Sequence, residues 1–156
     1  MTMKNALKEC GVFCTLGNAD LDQIEKFSSV EDYQAGATIF TEGTSSQKLY
    51  VLQSGKVALQ MQLPNQSRVG RRVSVDIVTR NEAFGWSALV EPHLYTLMAV
   101  CLEPTRVVAV DAGKLRSLLD EDKRVGYELL KRLIGVVASR LEETRHVLIS
   151  ERLMVV

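Results

Sequence analysis

The spacing of apolar positions along the chain changes twice. Leu7, Val12, Phe13, Leu16, Leu21, Ile24 and Phe27 recur at helical intervals and predict two short helical pieces, with Asn18 and Asp20 as caps for the second. From Val30 to Asp111 the pattern becomes short strands divided by turn signals. Tyr33 leads to Ala35-Gly36, and Thr38-Ile39-Phe40 ends at Glu42-Gly43. Leu49-Tyr50-Val51-Leu52 turns at Ser54-Gly55 into Val57-Ala58-Leu59-Gln60-Met61, where bulky residues fall at roughly alternate positions. Arg72 to Val78 is β-branched and alternating, and Arg106 to Val110 is a short apolar strand. Helical spacing then returns. Asp111 can cap Ala112 to Leu119, and a long helix is predicted from near Asp122 to near Leu153.

Many short strands with regular glycine turns predict an antiparallel sandwich or jelly-roll barrel rather than a parallel sheet. The expected fold class is therefore α+β, mainly β. Short N-terminal helices occupy 1–29, a β-barrel 30–111 and C-terminal helices 112–156. At 156 residues these form one domain able to bury a core, with no internal repeat and no low-complexity linker.

Leu130, Ile134, Val137, Leu141 and Leu148, with Thr144 between the last two, alternate in steps of four and three. That is a heptad seam. It can pack on its own barrel or pair with the same helix of a second chain. Glu142, Glu143 and Arg145 beside the seam favour a parallel homodimer.

Charge and composition remove several classes of function. Lys plus Arg and Asp plus Glu both number 19, so nothing suggests a nucleic-acid surface. Arg68, Arg71 and Arg72 read as a solvated loop. No apolar run approaches the ~20 residues of a membrane span. Met1 to Glu9 has no signal-type apolar region, so a soluble, cytoplasmic protein is expected. Cys10, Cys14 and Cys101 fit no disulfide framework. Cys10 and Cys14 could share a helical face, and read as small apolar residues on a packed helix because no further Cys or His stands near. With His93 and His146 isolated and no nucleophile–base pair, neither a metal site nor an enzyme is expected.

The stretch that carries chemistry is Phe84-Gly85-Trp86-Ser87-Ala88-Leu89, followed by Tyr95-Thr96-Leu97-Met98-Ala99-Val100. A loop entering a short helix through Gly85, with small residues at Ser87 and Ala88, can turn several backbone N–H groups toward an anion. Trp86 and Thr96 stand where an acid and a base would be wanted.

Barrel, glycine-marked turns, phosphate-type loop and long terminal helix together resemble the cyclic nucleotide-binding domain family. The nearest likeness is the effector domain of catabolite-activator-type (Crp/Fnr) regulators. The resemblance runs from about residue 13 to about residue 150. It is firmest in Ile39-Phe40-Thr41-Glu42-Gly43 and Leu49-Tyr50-Val51-Leu52-Gln53-Ser54-Gly55-Lys56-Val57. In nucleotide-binding members the cassette reads Phe-Gly-Glu-small-Ala-Leu, then Arg followed by Ser or Thr. Its Glu accepts from the ribose 2′-hydroxyl and its Arg pairs with the cyclic phosphate. Phe84, Gly85, Ser87, Ala88 and Leu89 match, whereas Trp86 replaces the Glu, Thr96 the Arg and Leu97 the Ser or Thr. Thr144 matches the terminal-helix Thr that contacts the purine amino group in activator-type members. Losing the guanidinium partner of a buried phosphate costs roughly 2–5 kcal/mol, about thirty- to several-thousand-fold in affinity.

These residues imply a standalone regulatory ligand-binding module that does not hold cyclic AMP or cyclic GMP tightly. The candidate pocket is Phe84, Gly85, Trp86, Ser87, Ala88, Leu89, Thr96, Leu97 and Thr144, with Arg71 and Arg72 as substitute cations if their loop folds over it. The expected effector is a small anionic or nucleotide-like molecule, with no other cofactor. In relatives a DNA-reading helix-turn-helix follows the terminal helix; the chain stops at Val156, so no direct DNA binding is expected. The alternative is a degenerate dimeric barrel that binds a partner protein and no small ligand.

Overall fold

The computed structural model describes residues 2–63 and 72–154. Two short helices, α1 (Met3–Glu9) and α2 (Asn18–Glu25), precede the strands β1 (Ser28–Tyr33), β2 (Thr38–Phe40), β3 (Lys48–Ser54), β4 (Val57–Gln62), β5 (Arg72–Val78), β6 (Ala83–Phe84), β7 (Met98–Cys101) and β8 (Thr105–Asp111). A turn of 3-10 helix, Trp86–Leu89, follows β6, and α3 (Ala112–Glu121) and α4 (Lys123–Met154) end the described chain. The strands form two antiparallel sheets, ordered β1-β8-β3-β6 and β2-β7-β4-β5. This is the jelly-roll arrangement expected from the strand pattern.

The central strands of the first sheet, β3 and β8, are buried on both faces, and their alternation divides their side chains between two cores. Leu49, Val51, Val108 and Val110 point to the helices, where they meet Leu7, Phe13, Leu21, Leu115 and Leu129. Tyr50, Leu52, Val107 and Ala109 point the other way, into the barrel, against Phe40, Val57, Val78 and Phe84. The period of two in a strand requires this division, and the register Tyr50↔Ala109 and Val51↔Val108 keeps each set together. The turn from β3 to β4 needs glycine. Gly55 has φ +99°, and a Cβ there would lie 2.6 Å from the Pro104 carbonyl oxygen and 2.7 Å from Thr105 Cα.

At the N-terminus the details differ from the sequence expectation. The N-cap of α2 is Gly17, not Asn18, and Asp20 reaches back to accept from the Gly17 N–H at 3.3 Å. The Asp20 carboxylate also accepts from Arg124 Nη2 at 2.9 and 3.0 Å, which ties α2 to α4. Cys10 and Cys14 do not share a helical face, because α1 ends at Glu9 and a turn follows; Cys10 is buried and Cys14 exposed. Asp111 caps α3 as expected, accepting from the Lys114 N–H at 2.9 Å.

The helix α4 carries two separate apolar stripes. Val125, Leu129 and Leu133, with half-buried Val136, pack on the helix-side core. Leu130, Ile134, Val137, Leu141 and Leu148 face away from it and are 41–69% exposed. Among the described residues no helix is long and apolar enough to cross a membrane.

Burial makes the fold sensitive to alkali. It pushes the Cys10 thiol from its ordinary 9.0 up to about 11, against smaller opposing hydrogen bonds from the Val12 and Phe13 backbone. Burial likewise raises the Tyr50 and Tyr95 hydroxyls above 10.0. In each case the unfolded chain releases its proton first, so stability is full below about pH 9 and declines as pH rises toward 11. Thermal melts from pH 7 to 11 are expected to show a level midpoint to about pH 9 and a fall beyond it. Cys10→Ala should make that fall shallower.

Candidate functional site

The cassette begins where β6 hands the chain to Gly85. This residue adopts φ 79° and ψ 33°, the left-handed region, and caps the 3-10 turn Trp86–Leu89. A Cβ on Gly85 would lie 3.3 Å from Tyr50 Cδ2, 3.4 Å from Tyr95 Cε1 and 3.5 Å from the Lys48 carbonyl oxygen. Ala88 and Leu89 close this turn rather than open it. The turn is satisfied from within: the Ala88 N–H donates to the Gly85 carbonyl at 3.2 Å and the Val90 N–H to the Ser87 carbonyl at 3.1 Å. Arg116 of α3 secures it from below, donating to the Ala88 carbonyl at 2.6 Å.

Beside the turn is a cavity of about 170 Å³ between the second sheet, the cassette and α4. Phe40 of β2, Leu59 of β4 and Asp76 of β5 form the sheet side. Phe84 to Ser87 and Tyr95 to Leu97 form the cassette side, and Arg140 reaches in from α4. Most of this lining is aromatic or aliphatic. The Phe40 and Tyr95 rings stack at 3.8 Å with 9° between their planes, and Phe40 lies 6.1 Å from Phe84. Tyr95 is held by its hydroxyl, which donates to the Lys48 carbonyl at 2.7 Å. Trp86 packs against the helix-side core and donates its indole N–H to the Ala83 carbonyl at 3.1 Å. Its one donor is therefore committed, and the ring is a fixed wall.

The cation of the site is Arg140. Its Nη1 donates to Asp76 Oδ2 and its Nη2 to Glu82 Oε2 at 2.6 Å. The Arg140 side chain is only 17% exposed. Two carboxylates on one guanidinium leave the trio with a net negative charge, and both Nη groups engaged. Of the substitute cations expected from sequence, Arg72 does not take this place. Arg72 lines a different cleft with Thr41 and Glu42 and points its guanidinium at the Met98 sulfur. Arg71 and Arg68 lie outside the described residues.

Of the residues proposed from sequence, Phe84, Gly85, Trp86, Ser87, Thr96 and Leu97 meet in the cavity. Ala88 is buried beneath it in the helix-side core. Leu89 lines a separate groove with His93, Arg116 and Tyr127. Thr144 lies one helical turn past Arg140, in a cleft with Val75, Glu143 and Val147, and its hydroxyl donates to the Arg140 carbonyl at 2.8 Å. Sequence reasoning missed Phe40, Leu59, Asp76, Tyr95 and Arg140. Asp76 interrupts a β-branched strand, which was the available signal; an Arg on a helix reads as a solvated face until α4 is seen against β5. Among the described residues no group of three or more His, Cys, Asp or Glu could hold a metal ion.

Comparison with known proteins places this geometry. The sequence model of the cyclic nucleotide-binding domain matches residues 30–122. The CRP-like cAMP-activated global transcriptional regulator of Mycobacterium tuberculosis is 27% identical over 144 residues, covering 92% of this chain and 61% of that protein. The chain thus spans under two thirds of the length of this relative. A protein of Geobacter metallireducens GS-15, named provisionally as a cyclic nucleotide-binding protein, superimposes with a TM-score of 0.78 at 26% identity, over 90% of this chain and 99% of that one. The catabolite activator protein of Thermus thermophilus gives a TM-score of 0.70 at 25% identity, over 88% and 61%.

The left-handed backbone at Gly85 and its crowding by Tyr50 and Tyr95 set a clear expectation. Gly85→Ala should destabilise the protein by more than ~1 kcal/mol in urea denaturation. An unchanged midpoint would show that the turn tolerates a Cβ and is not the rigid edge described.

Proposed function

Because the chain belongs to the cyclic nucleotide-binding domain family, whose role is regulatory ligand binding rather than catalysis, we propose that it is an effector-sensing module that does not take cyclic AMP or cyclic GMP at the affinity of intact members. The observation that carries this reading is Arg140, the cation lining the cavity, held by Asp76 and Glu82. A cyclic phosphate would have to displace tethered carboxylates and then remain near them, at like charge. The Glu and Arg that relatives use are Trp86 and Thr96 here, and a committed indole donor cannot accept from a ribose hydroxyl. Size agrees. The cavity, about 170 Å³, falls below the ~300–1,000 Å³ of usual ligand pockets.

Signal transfer is proposed to run through α4, since Arg140 belongs both to the cavity and to the helix that carries the outward heptad stripe. Leu141, Val147, Leu148, Ile149 and Leu153 remain 48–72% exposed in the single chain. An apolar helix end of this length is stabilised by a partner, and a parallel homodimer seam supplies one. The same exposed stripe supports a second reading, a barrel that recruits another protein and binds no small molecule.

Calorimetry at neutral pH is expected to find no low-micromolar binding of either cyclic nucleotide. Trp86→Glu with Thr96→Arg and Leu97→Ser should create or greatly strengthen that binding if the backbone cradle is intact. A folded triple variant that still ignores cyclic nucleotide would favour the protein-recruiting reading.

Sedimentation at tens of micromolar is expected to show a dimer. Leu141→Asp should yield monomer, because it places an unpaired charge in the seam, a penalty of ~3–5 kcal/mol. A wild-type monomer would remove the α4 readout.

A further inference from the structure

We infer that the cassette cavity takes a neutral, single-ring aromatic molecule carrying at most one hydroxyl. The inference rests on the reading of this chain as an effector-sensing module and narrows the class of its effector. Volume is the first constraint. The cavity measures about 170 Å³, and an engineered apolar cavity of ~150 Å³ is known to accept benzene. A nucleoside with its phosphate exceeds that volume, whereas one substituted ring matches it.

Shape and chemistry of the walls are the second constraint. Phe40 and Tyr95 are stacked on each other, Trp86 is pinned by its hydrogen bond to Ala83, and Leu59 and Leu97 add to the apolar wall. Rings so fixed offer faces and edges to another ring at little entropic cost. With the Tyr95 hydroxyl committed to the Lys48 carbonyl, the other hydroxyl-bearing residues of the lining are Ser87 and Thr96, enough for one polar substituent.

Charge is the third. Arg140 is the cation of the lining, and Asp76 and Glu82 already engage both its Nη groups. An anionic ligand meets the Asp76 carboxylate and a guanidinium whose charge is already more than balanced by Asp76 and Glu82; a cationic ligand meets the guanidinium itself. A neutral ligand disturbs neither, so the ion trio selects by charge while the aromatic walls select by shape.

Trp86 is the only tryptophan of the chain, so its emission reports on the cavity wall directly. The intact protein is titrated with phenol and toluene, with phenyl phosphate and benzylamine as charged counterparts and cyclic AMP in parallel. Emission of Trp86 and the thermal midpoint are read together. Phenol or toluene should give a saturable change in both, with the charged analogues about tenfold weaker or more. Leu59→Phe and Leu97→Phe, each checked for folding by circular dichroism, should weaken phenol about tenfold or more by filling the space. Asp76→Asn with Glu82→Gln should release Arg140 and strengthen phenyl phosphate by about tenfold or more.

No saturable response to phenol or toluene overturns the inference. So does phenol binding that is unchanged in both folded filling variants, or an Asp76/Glu82 double variant that binds phenyl phosphate no better. Phenyl phosphate preferred over phenol, with cyclic AMP silent, overturns the ligand class and leaves the module reading standing. Saturable cyclic AMP binding overturns the reading on which the class rests.

Discussion

Everything in this molecule is arranged around the pair β3 and β8, which is buried on both faces. Such a pair cannot carry a polar face, so its alternate residues must satisfy two different cores at once. Leu49, Val51, Val108 and Val110 require helices on one side, and Tyr50, Leu52, Val107 and Ala109 require a second sheet on the other. That requirement explains why α1, α2, α3 and the first half of α4 collect on one face, and why the barrel closes on the opposite one. It also explains why the cassette lies where it does. β6 pairs with β3 through Tyr50↔Phe84 and Val51↔Ala83, so the chain reaches Gly85 at the edge of both cores. A one-residue slip there would exchange the two sets and leave neither core filled.

The cavity inherits its character from this placement. Its aromatic side is the barrel core continued outward: Phe40, Phe84 and Tyr95 belong to that core and also line the open space. The charged side comes from Arg140 of α4 and Asp76 of β5, which form a partly shielded trio with Glu82 of the turn before β6. Removing Arg140 would leave the two carboxylates without their shared cation, so both ion pairs depend on that one guanidinium. It couples the helix to the barrel through the same atoms that bound the cavity.

The helix α4 is divided along its length as well as around its circumference. Up to about Val136 it is held by its own domain; Gly126 lets it approach α3 so closely that a Cβ would lie 2.7 Å from the Leu119 carbonyl oxygen. Beyond Arg140 the apolar residues of the helix are exposed and belong to neither core of the described residues. Intrinsic helix propensity alone is weak support for so many exposed apolar side chains.

The sequence by itself determined the barrel, its glycine turns, the cassette and the presence of a long terminal helix. Those features are written in local periodicity and in residues such as Gly55 and Gly85, whose backbone geometry few others can adopt. The resemblance that it carries also implied that Trp86 and Thr96 stand at the Glu and Arg positions of the family cassette. The sequence could not place Thr144 outside the cavity, separate Cys10 from Cys14, or make Gly17 rather than Asn18 the cap of α2. Nor could it show which cation enters the cavity. Arg140 and Asp76 are 64 positions apart, and only the packing of α4 across β5 brings them together. Short-range patterns specify elements because their causes lie within a few bonds. The charge of a pocket is decided by contacts between elements, and those exist only after the chain has closed on itself.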